Sequence, residues 1–172
     1  MKPKLLFTGL LLSLSLGHVL GQIQKHTWMI GGDMNLLMNI YDRQDIGFIL
    51  VPTVGYTVAK NLVLGINMTG EYYYSFDDKT YWGGFGIGPM FRYYIGKKKL
   101  MPFAYFSYKG EIGFYSNYED TSWDHSLLPG VGLTYMILPS VGIEGLLTCH
   151  VLEYYKTLQF HIGLQVYLPP NK

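Results

Sequence analysis

Cysteine is all but missing from this 172-residue chain. Cys149 stands alone, which excludes an internal disulfide framework and any cysteine-cluster metal site. Alanine is almost as scarce, confined to Ala59 and Ala104 beside 21 glycines. Helices favour alanine and are weakened by glycine, so this balance argues against a helix bundle. Charge is thin as well: 15% of residues are charged and the formal net charge is +1. No basic surface calls for nucleic acid, and no acidic tail suggests a solvating segment. Beyond residue 21 no apolar run reaches the ~20 residues of a membrane-spanning helix. The chain is nevertheless 49% hydrophobic, with 16 Tyr, 9 Phe and 3 Trp. Its length fits one domain. Two structures accommodate these facts, a soluble all-β protein or a closed β-barrel that satisfies its own backbone inside lipid.

The N-terminus reads as a secretory signal peptide. Met1-Lys2-Pro3-Lys4 is its basic start, Leu5 to Gly17 its apolar centre, and Val19-Leu20-Gly21 offers a small residue at the cut. The expected division is a signal peptide over 1–21 and a barrel domain over 22–172. No cysteine lies at the cut, which excludes an acylated lipoprotein.

Read at period two, the rest of the chain separates into two faces. From Ile46 one set is Ile46, Phe48, Leu50, Pro52, Val54, Tyr56 and Val58, against Gly47, Ile49, Val51, Thr53, Gly55 and Thr57. The last segment sets Leu158, Phe160, Ile162, Leu164, Val166 and Leu168 against Thr157, Gln159, His161, Gly163, Gln165 and Tyr167. The same split recurs near 27–39, 62–76, 81–95, 103–115, 126–137 and 141–152, so eight strands are expected. No Asp, Glu, Lys or Arg falls on the apolar face of any of them. A soluble ligand-binding barrel needs the reverse, with charge outside and an apolar cavity. An apolar exterior with aromatic margins around a polar interior is the lipid-facing arrangement. The expected fold is therefore all-β: an eight-stranded antiparallel up-and-down transmembrane β-barrel.

An internal repeat supports hairpin topology. Pro52, Pro89 and Pro129 each precede a turn, at Ala59-Lys60-Asn61, at Gly96 to Lys99 and at Leu138-Pro139-Ser140. Their spacings, 37 and 40 residues, match one hairpin per period. A closed barrel has no free edge for proline, so a bulge or a lost ladder bond is expected at each.

Charges sort by region. Outside loops expected near 40–45, 76–80, 116–124 and 153–156 are mostly acidic, whereas the inner turns and termini carry Lys25, Lys60, Lys97, Lys98, Lys99 and Lys172 with no acid. The remainder, Asp33, Glu71, Arg92, Lys109, Glu111 and Glu144, point inward together with His150 and His161. An eight-strand interior is just wide enough for side chains to fill it. Buried charges there must pair. Two clusters are expected, Arg92 with Glu144 near the inner end and Lys109 with Glu71 and Glu111 higher up. They constitute a static polar plug rather than a gated ion path.

Catalytic chemistry is not expected. Asp124-His125-Ser126 invites a hydrolase reading, but adjacent strand residues point to opposite faces, which separates base from nucleophile. His150 and His161 could face each other in the lumen across neighbouring strands, a pair that satisfied interior histidines explain better than zinc. Gly83-Gly84-Phe85-Gly86-Ile87-Gly88 precedes no helix, so it is not a phosphate loop, and its inward glycines make room for bulky neighbours.

The chain resembles the small outer membrane β-barrel domains of Gram-negative bacteria, the porin-like relatives of the OmpA and OmpX barrels. The likeness covers residues 22–172. It rests on the Gly21-Gln22 signal end, the hairpin Pro52-Thr-Val-Gly-Tyr56-Thr-Val-Ala-Lys-Asn-Leu-Val-Leu-Gly65, the run Phe91-Arg92-Tyr93-Tyr94-Ile95 and the alternating last strand. The resemblance implies a cell outer membrane location, contact with outer membrane lipids and insertion by the outer membrane assembly machinery. That machinery usually reads a terminal aromatic, whereas this chain ends Tyr167-Leu168-Pro169-Pro170-Asn171-Lys172, which would place the signal internally, at Tyr167. No peptidoglycan-binding domain is expected after the barrel. The reading is a monomer without cofactor, metal or catalytic residue, serving envelope structure or surface interaction. The alternatives are a lipid-modifying barrel enzyme and a soluble secreted ligand-binding barrel.

Overall fold

The two-faced segments pair with their neighbours in order and the last closes on the first. The computed structural model describes residues 23–39, 45–77, 79–96, 99–115, 118–151 and 157–170. The expected signal peptide and its cut lie outside the described residues. The eight strands are β1 (Trp28–Asn39), β2 (Asp45–Ala59), β3 (Leu62–Ser75), β4 (Thr80–Tyr94), β5 (Leu100–Tyr115), β6 (Tyr118–Leu138), β7 (Val141–Cys149) and β8 (Leu158–Leu168). Each is antiparallel to the next, and β8 returns to β1 over Trp28↔Leu168 to Met34↔Ile162.

The registers fix the barrel's shape. Crossing the ladders from Trp28 leads through Tyr56, Leu64, Phe91, Phe106 and Pro129. Continued through Cys149 and Leu158 by the neighbouring registers, the path meets β1 again at residue 38, ten residues above its start. A shear of ten over eight strands, at ~3.3 Å per residue and ~4.8 Å between strands, tilts the strands by about 40°.

Side chains alternate as the sequence pattern requires. Along β4, Gly84, Gly86, Gly88, Met90, Arg92 and Tyr94 are buried, while Tyr81, Phe85, Ile87, Phe91 and Tyr93 are exposed. Between the two aromatic margins, the outward faces of the described strand residues carry no Asp, Glu, Lys or Arg. Trp28, Tyr56, Tyr93 and Tyr135 edge this apolar band at one end, and Tyr72, Tyr81, Phe114 and Trp123 at the other. From Tyr93 to Tyr81 the tilted strand rises about 30 Å, the thickness of a bilayer's hydrocarbon core.

Two features depart from the sequence reading, and a third, the prolines, meets it in part. β6 begins at Tyr118, so most of the stretch expected as a loop over 116–124 is strand. Above the apolar band nothing enforces a lipid-facing alternation, and the acidic residues there read as a loop. β7 stops at Cys149 rather than running to residue 152, and His150 and Val151 make backbone bonds to Thr157 and Leu127 instead. The prolines produce no bulges. Pairing lapses at Val51 and Pro52 against β3, and at Gly88 and Pro89 against β5, with the register unchanged on either side. Pro129 stays paired with Phe106 and stands one residue beyond the last β6–β7 pair, Gly130↔Thr148. The bulges lie near strand ends, at Thr57/Ala59, Gly113/Tyr115 and Met136/Leu138.

The inner end is floored by apolar side chains: Ile23, Met29, Tyr94, Met101, Phe103 and Tyr167. Asn61 ties this floor together from the β2–β3 turn. Its positive φ of 63° suits asparagine. Its side-chain oxygen accepts from the Ile23 N–H at 3.2 Å, and its carbonyl accepts from Tyr94 N at 2.9 Å.

Candidate functional site: the barrel interior

Above this floor the interior carries charge. The strands lay out one row by register: Glu144 on β7 is opposite Gly163 on β8, which is opposite Asp33 on β1. Gly163 lies between two carboxylates, and a Cβ there would overlap the Asp33 carboxylate. Its missing side chain lets both acids converge on Arg92, which reaches them from β4. Arg92 Nη1 donates to Glu144 Oε1 at 2.6 Å and Nη2 to Asp33 Oδ2 at 3.3 Å. Gln165 Nε2 (2.9 Å) and Thr134 Oγ1 (3.3 Å) also donate to Glu144. The guanidinium lies 5.2 Å from the Phe103 ring centre and 5.3 Å from that of Tyr105. Below, the Tyr167 hydroxyl donates to that of Tyr94 at 2.9 Å.

The second cluster spans β4. Lys109 on β5 donates to Glu71 on β3 at 3.0 Å and to Glu111 on its own strand at 2.6 Å. The strand between presents Gly84, Gly86 and Gly88 inward, and the stems of Lys109 and Glu111 lie over Gly86, where a Cβ would come within 2.8 Å of Glu111 Cγ. The glycine run thus makes the space its sequence position suggested. Ser126 Oγ adds a bond to Glu111 at 3.2 Å. Each cluster sets two carboxylates around one cation.

Neutral groups join the two clusters. Asn67 Nδ2 donates to the Tyr105 hydroxyl at 2.6 Å and to Ser107 Oγ at 3.1 Å. Thr148 Oγ1 and His161 Nε2 are 3.1 Å apart. Between them lies a cavity of about 20 Å³, bordered by Asp33, Asn67, Tyr105, Lys109, Thr148 and His161. That is the room of one water molecule.

The sequence-level candidates therefore fall as follows. Arg92 meets Glu144, and Lys109 meets both Glu71 and Glu111. Asp33 joins Arg92, a partnership the sequence reading missed; the row Glu144–Gly163–Asp33 would have disclosed it had the registers been known. Ser126, Thr134 and Gln165 were likewise missed, since their polar inward positions announce no particular partner. His161 turns to Thr148, and His150 is buried nearby. Among the described residues no three His, Cys, Asp or Glu side chains gather as metal ligands would. Asp124, His125 and Ser126 divide across the wall: Ser126 is buried inside, while His125 is exposed outside and bonds the Tyr108 hydroxyl at 2.8 Å.

No protein-family model and no curated protein sequence matches the chain. Solved structures do share its fold. The N-terminal β-barrel domain of Pseudomonas aeruginosa OprF superposes with a TM-score of 0.58 at 11% identity, covering 84% of this chain and 98% of that one. Neisserial surface protein A superposes with a TM-score of 0.59 at 15% identity, covering 81% and 96%. The chain is thus a closed eight-stranded antiparallel barrel of the architecture seen in these small barrels.

Proposed function

We propose that this chain is an integral outer membrane barrel without catalytic activity, whose interior is a closed polar plug and whose role is structural or at the cell surface. The carrying observation is the inversion of faces. Charged and hydrogen-bonding side chains are inside, and a charge-free band about 30 Å tall is outside. A soluble barrel would strand this girdle in water, where contiguous apolar patches beyond a few hundred Å² are rarely left uncovered. The fold shared with OprF's barrel and with a Neisserial surface protein supports the location. The non-catalytic reading is supported by the wall between His125 and Ser126. The plug is supported by the two paired clusters, whose charged groups meet across the interior.

Planar-bilayer recording of the purified, folded protein tests the plug. A flat baseline without stable open steps is expected. A steady unitary conductance would contradict the closed interior.

A further inference from the structure

Exposed charge at the inner end of the barrel has one sign. The described lysines there are Lys25, Lys60 and Lys99, all exposed. No described acid accompanies them outside the interior; the carboxylates closest to this end, Asp33 and Glu144, are buried and committed to Arg92. The other rim is mixed, since exposed Lys79 stands two residues from exposed Asp77. Lys97 and Lys98 lie outside the described residues.

Backbone bonds gather the three lysines on one side of the rim. Lys60 is in the β2–β3 turn beside Asn61, whose N–H donates to the Ile23 carbonyl at 3.4 Å and whose side chain accepts from the Ile23 N–H. That clamp holds the segment of Lys25 against the turn, and the His26 N–H holds it again through the Thr57 carbonyl at 2.9 Å. The Asn61 carbonyl takes the Tyr94 N–H, which ties the same turn to the end of β4. Ile95 N–H then donates to the Pro102 carbonyl at 2.7 Å, closing the β4–β5 turn that carries Lys99. Two strand spacings separate these turns, about 12 Å around the tilted wall. That is comparable with the ~10 Å screening length at 0.1 M salt, so the potentials of neighbouring lysines add. The described remainder of the inner rim is uncharged: Pro139 and Ser140 join β6 to β7, and β8 runs out into Pro169 and Pro170.

The height of these lysines selects the partner. Lys25 precedes Trp28 by three residues, Lys60 follows Tyr56 by four, and Lys99 adjoins Leu100, whose outward side chain is 48% exposed. Each lies just beyond the aromatic margin, at the level of lipid headgroups and within reach of a flexible ammonium stem. The β2–β3 and β6–β7 turns have two residues each and offer no projecting surface. A flush rim of one sign fits headgroup phosphates better than a folded partner.

We propose that the half of the inner rim bearing Lys25, Lys60 and Lys99 binds the phosphodiester headgroups of anionic phospholipids in the inner leaflet. This rests on the membrane-spanning reading, which puts the rim at headgroup depth. It goes beyond that reading in assigning one side of the barrel to one class of lipid, held by attraction that salt screens.

The test uses the full-length folded protein in nanodiscs of phosphatidylcholine and phosphatidylglycerol in equal parts, with native mass spectrometry reading which lipid stays bound. The wild type is expected to retain phosphatidylglycerol about five-fold over phosphatidylcholine, what one lysine near an anionic surface supplies, and to lose that preference as ammonium acetate is raised. Lys25→Gln, Lys60→Gln and Lys99→Gln combined should abolish it while keeping the heat-dependent gel mobility of a folded barrel, since none of the three joins the interior network. Lys79→Gln, at the other rim, should leave it intact. A triple variant that keeps the preference overturns the site. So does an equal loss in Lys79→Gln, which would make net charge rather than place the cause. A Glu-rich peptide that binds the wild type in pure phosphatidylcholine discs through these lysines, and that phosphatidylglycerol does not displace, overturns it in favour of a protein contact. A protein that fails to enter the disc as a heat-modifiable barrel overturns the membrane reading itself, and the site with it.

Discussion

Single residues decide how charge is stored in so narrow a space. Arg92 is fully buried between Asp33 and Glu144 and anchored over two aromatic rings. Removing it leaves two carboxylates without a cation, and breaking a buried pair from one side costs about 3–5 kcal/mol. Arg92→Met should lower the urea midpoint of the folded barrel accordingly. Adding Asp33→Asn and Glu144→Gln should restore most of the loss; a triple variant no more stable than Arg92→Met would show that the ion pairs are not what Arg92 supplies. Gly163 matters through what it lacks. A methyl group there collides with the Asp33 carboxylate and approaches the Gly32 carbonyl to 2.8 Å. Gly163→Ala is expected to destabilise the barrel by about 1–3 kcal/mol, the usual cost of overpacking. An unchanged midpoint would mean that Asp33 has room to retreat.

At the scale of the strand, proline needs local compensation. Pro89 faces Tyr108 by register, and the ladder lapses there because one N–H is missing. Ser107, fully buried, places its hydroxyl 3.2 Å from the Pro89 carbonyl and 3.3 Å from that of Tyr108. It has one hydrogen to give, so it serves one carbonyl at a time. Thr53 does the same at the other lapse, 3.2 Å from the Val51 carbonyl. Ser107→Ala should cost about 1–3 kcal/mol for an unsatisfied buried acceptor. In a Pro89→Val background, where the N–H returns, the same change should cost clearly less. Additive losses by denaturant titration would exclude this coupling.

The strands themselves were readable from sequence wherever lipid-facing side chains had to be apolar. From Phe48 to Val58 and from Leu158 to Leu168 every second residue is apolar and faces outward, as the proposed lipid-facing wall requires. Above the band that constraint ends, and the upper part of β6, with Glu119, Asp120 and Asp124, looked like a loop. The proline positions were readable and their consequence only partly so. At both lapses a hydroxyl, of Thr53 or Ser107, bonds a nearby carbonyl, and no periodicity reports it.

For the molecule as a whole, shear and tilt bring together residues far apart in sequence. Arg92 and Glu144 belong to strands three apart around the barrel, β4 and β7, and they could be associated from sequence because both lie close to the inner turns. Asp33 escaped notice because it reaches Arg92 over Gly163, a route that exists only once β8 closes on β1. Lys109 and Glu71 likewise touch because β4 offers glycines between them. The ion pairs across Gly163 and across β4 both follow from this closure.

Closure in a membrane is therefore the central claim, and one measurement bears on it directly: cell fractionation followed by gel mobility of boiled and unboiled detergent-extracted protein. The account predicts recovery in the outer membrane fraction and a faster-running band that shifts on boiling, since a closed barrel resists detergent until heated. A soluble periplasmic protein with identical mobility in both samples would contradict it.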